Sequence, residues 1–243
     1  MSEWELPTTV EHTSIERVGG GYVWESGVHD AKIKVVYLNQ AKSEAISATV
    51  IMENAEGKEM KESFWIKSGK AKGNKSYYEK DGKQFPLPGY AVANSMCIAA
   101  TGESLAKCID KAEKKSVKIW NSEEGKEVPT ERPVLMSLTG KTIKVAVHQI
   151  KEDKTQKNEA GQYVPTGEDR LTNECKFFGN TEGKTAEEIL SGEPAEMFTK
   201  WAEKNTGTVI DKTTKKEPGT SAADIMGTTD TATPETTTAS MFG

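Results

Sequence analysis

The chain has 243 residues, a formal net charge of −5 and 35% hydrophobic residues. That length allows one large domain or one domain with appendages, and the low apolar share leaves part of the chain unpacked. No run approaches the roughly 18 apolar residues that cross a bilayer, and the acidic start Met1-Ser2-Glu3-Trp4-Glu5 lacks the features of a signal peptide. A cytoplasmic protein without membrane contact is expected.

Residues 1–30 show little periodicity and read as an N-terminal extension. Gly19-Gly20-Gly21 breaks the chain, and Tyr22 and Trp24 are read as the start of an edge strand. Lys32 to Leu38 is the first clear strand, with Ile33, Val35 and Tyr37 on one face and Lys32, Lys34 and Val36 on the other. After a turn over 39–44, Ala45 to Glu53 is a second strand, with Ile46, Ala48, Val50 and Met52 on its apolar face. Asn54-Ala55-Glu56-Gly57 turns the chain again. Lys58 to Lys67 is a third strand. Met60, Phe64 and Ile66 share its core side; Lys61, Ser63, Trp65 and Lys67 share the other. Trp65 therefore stands on the charged face, although a large aromatic is more often core.

The next stretch combines cations, glycines and aromatics. Lys67, Lys70, Lys72, Lys75, Lys80 and Lys83 alternate with Gly69, Gly73 and Gly82, and Tyr77, Tyr78 and Phe85 lie on the return. Residues 58–83 carry a local +4, against −4 for residues 217–243 and −1 for the chain outside that tail. Phosphate binding depends on the local field more than on the total. Two readings fit this pattern: a solvated hairpin loop, or a groove in which lysines follow phosphates and aromatics stack on bases. In the second, Trp65 and Lys67 are held on a strand. Lys70 to Lys75 then form a glycine-hinged loop able to close over the ligand.

Pro86 and Pro88 end the extended run, and Tyr90 to Thr101 reads as a helix capped by Gly102. Ser104 to Lys111 adds a second helical piece, and Val117, Ile119 and Trp120 mark a strand. Glu123 to Arg132 reads as a charged loop. Val134 to Leu138 and Lys141 to Lys151 are expected to pair as a hairpin through Thr139-Gly140. Ile143, Val145 and Val147 would face inward, and Lys144, Ala146 and His148 outward. Glu152 to Gly161 is a polar hairpin tip, and Arg170 to Phe178 a return strand. Thr185-Ala186-Glu187-Glu188 is a capping box that starts a helix at Ala186. Ala195 to Asn205 is an amphipathic helix whose Met197, Phe198 and Trp201 dock on the core. From Thr206 the composition cannot offset chain entropy and predicts a disordered tail over 206–243.

Several chemistries lack a signature. Cys97, Cys108 and Cys175 form no C-x-x-C pair, and His12, His29 and His148 have no metal-ligand spacing. Gly69-Lys70-Ala71-Lys72-Gly73 lacks the Gly-Lys-[Ser/Thr] ending of a phosphate loop. No catalytic residue, metal or cofactor is assigned, and a non-enzyme is expected. Two alternatives stand beside nucleic-acid binding: a non-catalytic structural or interaction protein on a β-barrel, and a metal-dependent nucleic-acid-processing enzyme with scattered carboxylate ligands.

Ile66-Lys-Ser-Gly-Lys-Ala-Lys-Gly-Asn-Lys-Ser-Tyr-Tyr, then Asp81-Gly-Lys and Leu87-Pro-Gly-Tyr-Ala-Val-Ala-Asn, resemble a family of bacteriophage single-stranded DNA-binding proteins. Val128-Pro-Thr and Tyr163-Val-Pro-Thr-Gly-Glu extend the likeness, which covers most of residues 30–205. The resemblance implies a mainly β, OB-fold-like antiparallel barrel over 31–205, with an inserted helix and C-terminal helices. It implies sequence-independent binding and protection of single-stranded DNA in replication or recombination. Lys32, Lys34, Lys61, Lys67, Lys70, Lys72 and Lys75 would meet phosphates, and Trp65, Tyr77 and Tyr78 would stack on bases. The tail, with Met241 and Phe242 near its end, would recruit replication proteins. It departs from the family pattern in having few acids and much threonine.

Overall fold

A computed structural model describes residues 23–121 and 124–214. β1 (Gly27–Gln40), β2 (Ile46–Asn54) and β3 (Glu59–Lys67) form the expected antiparallel meander. Ala48, Val50, Met52, Met60, Phe64 and Ile66 are buried on its inner side. A bulge between Ile33 and Val35 shifts the register of β1 against β2. A bulge adds one residue and reverses the alternation beyond it. Val36, not Val35, therefore enters the core behind Ile33.

A short hairpin follows, β4 (Tyr77–Lys80) with β5 (Lys83–Pro86), and then α1 (Pro88–Thr101) and α2 (Leu105–Asp110). α1 begins with Pro88 in its first turn and ends at Gly102, whose φ of 75° suits the left-handed cap. It lays Ala93, Met96 and Cys97 on the inner side of the meander. Burying each large apolar side chain of this layer is worth about 1.5–3 kcal/mol.

The chain then departs from the expected order. β6 (Glu113–Asn121) pairs throughout with β7 (Lys126–Val134), so most of the expected loop is a strand. Its charged residues read as a loop, and Pro129 and Pro133 add to the disguise. β7 pairs with β1 only at Val134 opposite Tyr37, which leaves an open edge that tolerates prolines. Val134 to Leu138 is not one half of a hairpin. Met136–Leu138 is a 3-10 turn that sinks Leu135 and Leu138 into the core. The i, i+3 spacing of those leucines suits such a turn.

β8 (Thr142–Lys157) pairs with the first half of β1, and β9 (Tyr163–Gly179) pairs with β8 along almost its whole length. Strand pairing thus runs through residues expected as a hairpin tip, and Trp24, expected in an edge strand, is buried just ahead of β1. Beyond residue 150 the β8–β9 arm is laced by Lys151–Asp169, Arg170–Glu152 and Lys154–Glu168 pairs. α3 (Ala186–Ser191) starts at the predicted capping box, and α4 (Met197–Asn205) follows. Phe198 packs on Phe177, and Trp201 on Phe177 and His148, so α4 covers the outer side of β8 and β9. That cover buries Ala146 and His148, which the alternation pattern turns outward. Met197 remains 46% exposed.

β10 (Val209–Asp211) pairs in parallel with Gln149 to Lys151 of β8, so packing continues past residue 205. The strands form an eight-stranded sheet with the path β10-β8-β1-β2-β3, to which β9, β7 and β6 attach. β3 and β9 face each other without strand pairing. Phe64 and Phe178 meet edge to face at 5.9 Å across that seam. Among the described residues, no helix is long and apolar enough to cross a membrane. Residues 1–22, and Met241 and Phe242 of the tail, lie outside the described residues.

Candidate nucleic-acid interface

The outer face of the meander has small polar residues at its centre. Thr49 and Ser63 share a hydroxyl hydrogen bond at 2.9 Å, and Ser47 lies between Trp65 on β3 and Asn39 on β1. Trp65 is 52% exposed, so it is not the core residue that a large aromatic usually is. Its backbone is closely backed by the start of α1. A Cβ added to Gly89 would lie 2.4 Å from the Trp65 carbonyl oxygen and 2.6 Å from its nitrogen. Lys61 shares this face four residues away, whereas a register shift leaves Ile66 unpaired and sets Lys67 opposite Ile46, at the same end but out of the alternation.

The lysine loop is more tightly held than its glycines suggest. Lys70–Lys72 is a 3-10 turn closed by Gly73 at a φ of 77°. The Lys70 amide donates to the Ser43 carbonyl at 2.8 Å, which ties the loop to the β1–β2 turn. Gly69 sits so close to that carbonyl that an added Cβ would come within 2.7 Å. The Asn74 side chain donates to Glu44 at 3.0 Å. Ser68 donates its amide to the Lys75 carbonyl at 2.8 Å and accepts the Lys75 amide on its hydroxyl at 2.9 Å. The glycines here permit close backbone contact and left-handed turns; they do not hinge a lid.

The expected lysines fall into two groups. Lys32, Lys61, Lys67, Lys70 and Lys72 form no ion pair among the described residues. Lys34 is bound by Glu53 at 3.1 Å and Glu59 at 2.5 Å, and its pKa is raised, chiefly by the bond to Glu59. Lys75 pairs with Glu79 at 3.1 Å, which raises its pKa too, and lies 5.2 Å from the Tyr77 ring centre. Position divides them further. Lys67, Lys70 and Lys72 are at the Trp65 end of the sheet, whereas Lys32 is the strand partner of Glu53 and Lys34, in the bulge, lies at that opposite end. Tyr78 stacks on Phe85 at 5.7 Å and 25° in the β4–β5 hairpin, and Tyr77 is half-buried.

Two cations here escape the sequence pattern. Lys42 is exposed on the β1–β2 turn, next to the Ser43 that anchors the lysine loop. Arg132 lies half-buried on β7 and donates from Nε to the Asn39 side chain at 3.1 Å. No local signal marks either; strand pairing and the turn anchor bring them to this end.

Elsewhere, no group of three or more His, Cys, Asp or Glu among the described residues is placed to hold a metal. Burial pushes the Cys97 and Cys175 thiols well up, so neither is a ready thiolate. Burial, then Lys176, holds His148 below its ordinary pKa. The chain matches no protein-family model and no curated protein.

Proposed function

We propose that the protein binds single-stranded DNA without sequence preference, on the outer face of β1, β2 and β3 at the lysine-loop end. One observation carries this reading. Trp65 stands 52% exposed on a paired strand, while Lys42, Lys67, Lys70 and Lys72 gather at the same end without acidic partners among the described residues. An exposed indole on a firmly packed backbone offers a base a stacking face, and cations nearby suit phosphates. The resemblance to phage single-stranded DNA-binding proteins supplies the setting, protection of strands during phage replication or recombination. It also implies partner recruitment by the tail. The meander, the helix and the return pair laid on β1 fit the OB-fold-like barrel of that resemblance, with Phe64 and Phe178 across its seam.

The test is titration of an oligo-dT strand at two salt concentrations with the parent and Trp65→Ala. Stacking is worth about 1–3 kcal/mol per base, so the variant should bind roughly tenfold or more weakly. Equal affinity would remove Trp65 from the site. No binding by the parent would favour an interaction protein, and metal-dependent loss of the strand an enzyme.

A further inference from the structure

Trp65, Ser47, Asn39 and Arg132 lie in one row across β3, β2, β1 and β7. Trp65 pairs with Ser47 and Ser47 with Asn39. Tyr37 opposite Val134 then sets Arg132 beside Asn39, where the side chains bond at 3.1 Å. Directly opposed residues of antiparallel strands point to the same face, and strands are about 4.8 Å apart, so the row spans roughly 14 Å. Its middle members are short: Ser47 is buried and Asn39 half-buried.

Arg132 is held in an unusual way. Its Nε donates to Asn39 and its Nη1 to the Glu131 carbonyl at 3.0 Å, both neutral acceptors. It has no carboxylate partner among the described residues. Across the strand, Lys115 is occupied with Glu113 at 2.9 Å. Arg170, by contrast, pairs with Glu152 at 2.8 Å. A half-buried guanidinium fixed in plane, with its charge unanswered, is prepared for an oxyanion.

We infer that Arg132, oriented by Asn39, is a phosphate-binding residue, and that a single strand crosses the sheet from Trp65 to Arg132. The inference rests on the reading of this face as a single-stranded DNA site. The competing path follows β3 from Trp65 towards Lys61. Here Arg132 is the contacting group and Asn39 a positioning residue.

The experiment measures oligo-dT affinity against salt for the parent, Arg132→Ala, Arg132→Lys, Asn39→Ala, Lys61→Ala and Trp65→Ala. Arg132→Ala should weaken binding about tenfold and lower the salt slope by about 0.7, the share of one phosphate. Arg132→Lys keeps the charge and the slope but loses the fixed fork, so affinity stays several-fold low. Asn39→Ala should weaken binding several-fold at an unchanged slope. Lys61→Ala, on the competing path, should lower the slope less than Arg132→Ala does. If Arg132→Ala lowers the melting temperature but leaves the slope intact, Arg132 only anchors β7 and the inference fails. It fails too if Lys61→Ala flattens the slope and Arg132→Ala does not. Both outcomes leave the wider reading standing as long as Trp65→Ala weakens binding. A parent that binds no oligo-dT overturns both.

Discussion

Gly89 is the seat of Trp65: a methyl group at Gly89 would lie 2.4 Å from the Trp65 carbonyl oxygen. The contact is with backbone, so the added atom cannot be relieved by a rotamer change. Gly89→Ala should displace the start of α1 or the strand beneath it and cost about 1–3 kcal/mol, as overpacking does. A lower melting temperature together with weaker oligo-dT binding is the expected pair of results. An unchanged melting temperature would show that α1 does not press on β3.

Lys70 and Lys72 stand on a pinned turn with no acidic partner among the described residues. Replacing both with alanine should lower the salt slope of single-strand binding by about 1.4, or 0.7 for each lost phosphate contact. Lys34→Ala is the control, because Glu53 and Glu59 already answer that charge. Equal slope losses in the two variants would remove the distinction between paired and unpaired lysines.

Glu79 holds Lys75 at 3.1 Å. Glu79→Gln should free that ammonium and take a negative charge from the loop. Oligo-dT affinity should rise a few-fold at low salt, and the gain should vanish near 1 M salt, where the screening length is about 3 Å. A gain that survives high salt would have a non-electrostatic origin.

Glu188 clamps two helix starts. Its carboxylate accepts from the Thr185 amide at 2.8 Å and hydroxyl at 2.9 Å, and from the amides of Glu196 at 2.8 Å and Met197 at 2.9 Å. Burial works to raise its pKa, but these bonds to the ionised form prevail and hold it at about 2. The folded pKa lies below the ordinary 4.5. The clamp's contribution is therefore full above pH 4.5 and is lost as pH falls towards 2. Glu188→Gln turns an NH2 group towards backbone donors and should cost about 1–3 kcal/mol at pH 7. Thermal melts from pH 7 to 3 should fall less steeply for the variant than for the parent.

The meander, α1 and the Thr185 capping box were legible because period-two alternation and cap chemistry are local. The failures share a non-local cause. Pro129 and Pro133 argue against a strand unless its outer edge is known to be open. Ala146 and His148 read as solvent-facing until α4 lies over them. Gly69 and Gly73 read as hinges because nothing in the sequence places Ser43 or Glu44 beside them. In the site, the outward Trp65 and Lys61 followed from alternation on one strand, but the register shift that takes Lys67 out of that pattern did not. Lys34 could be set apart from Lys70 only once Glu53 and Glu59 were paired across β2 and β3. Arg132 needed the register of β7 against β1.

β10 lies apart from the proposed interface. β1 occupies one edge of β8 as far as Val147, and β10 takes up that edge again from Gln149. Lys212 and Thr214 fasten the continuation to Glu174 and Asp153. Unpaired strand edges are templates for joining a neighbouring molecule. The residues after α4 thus act as an edge guard that keeps the longest hairpin from recruiting another chain. A truncation placed at Thr206, where the composition changes, would remove that guard along with the tail.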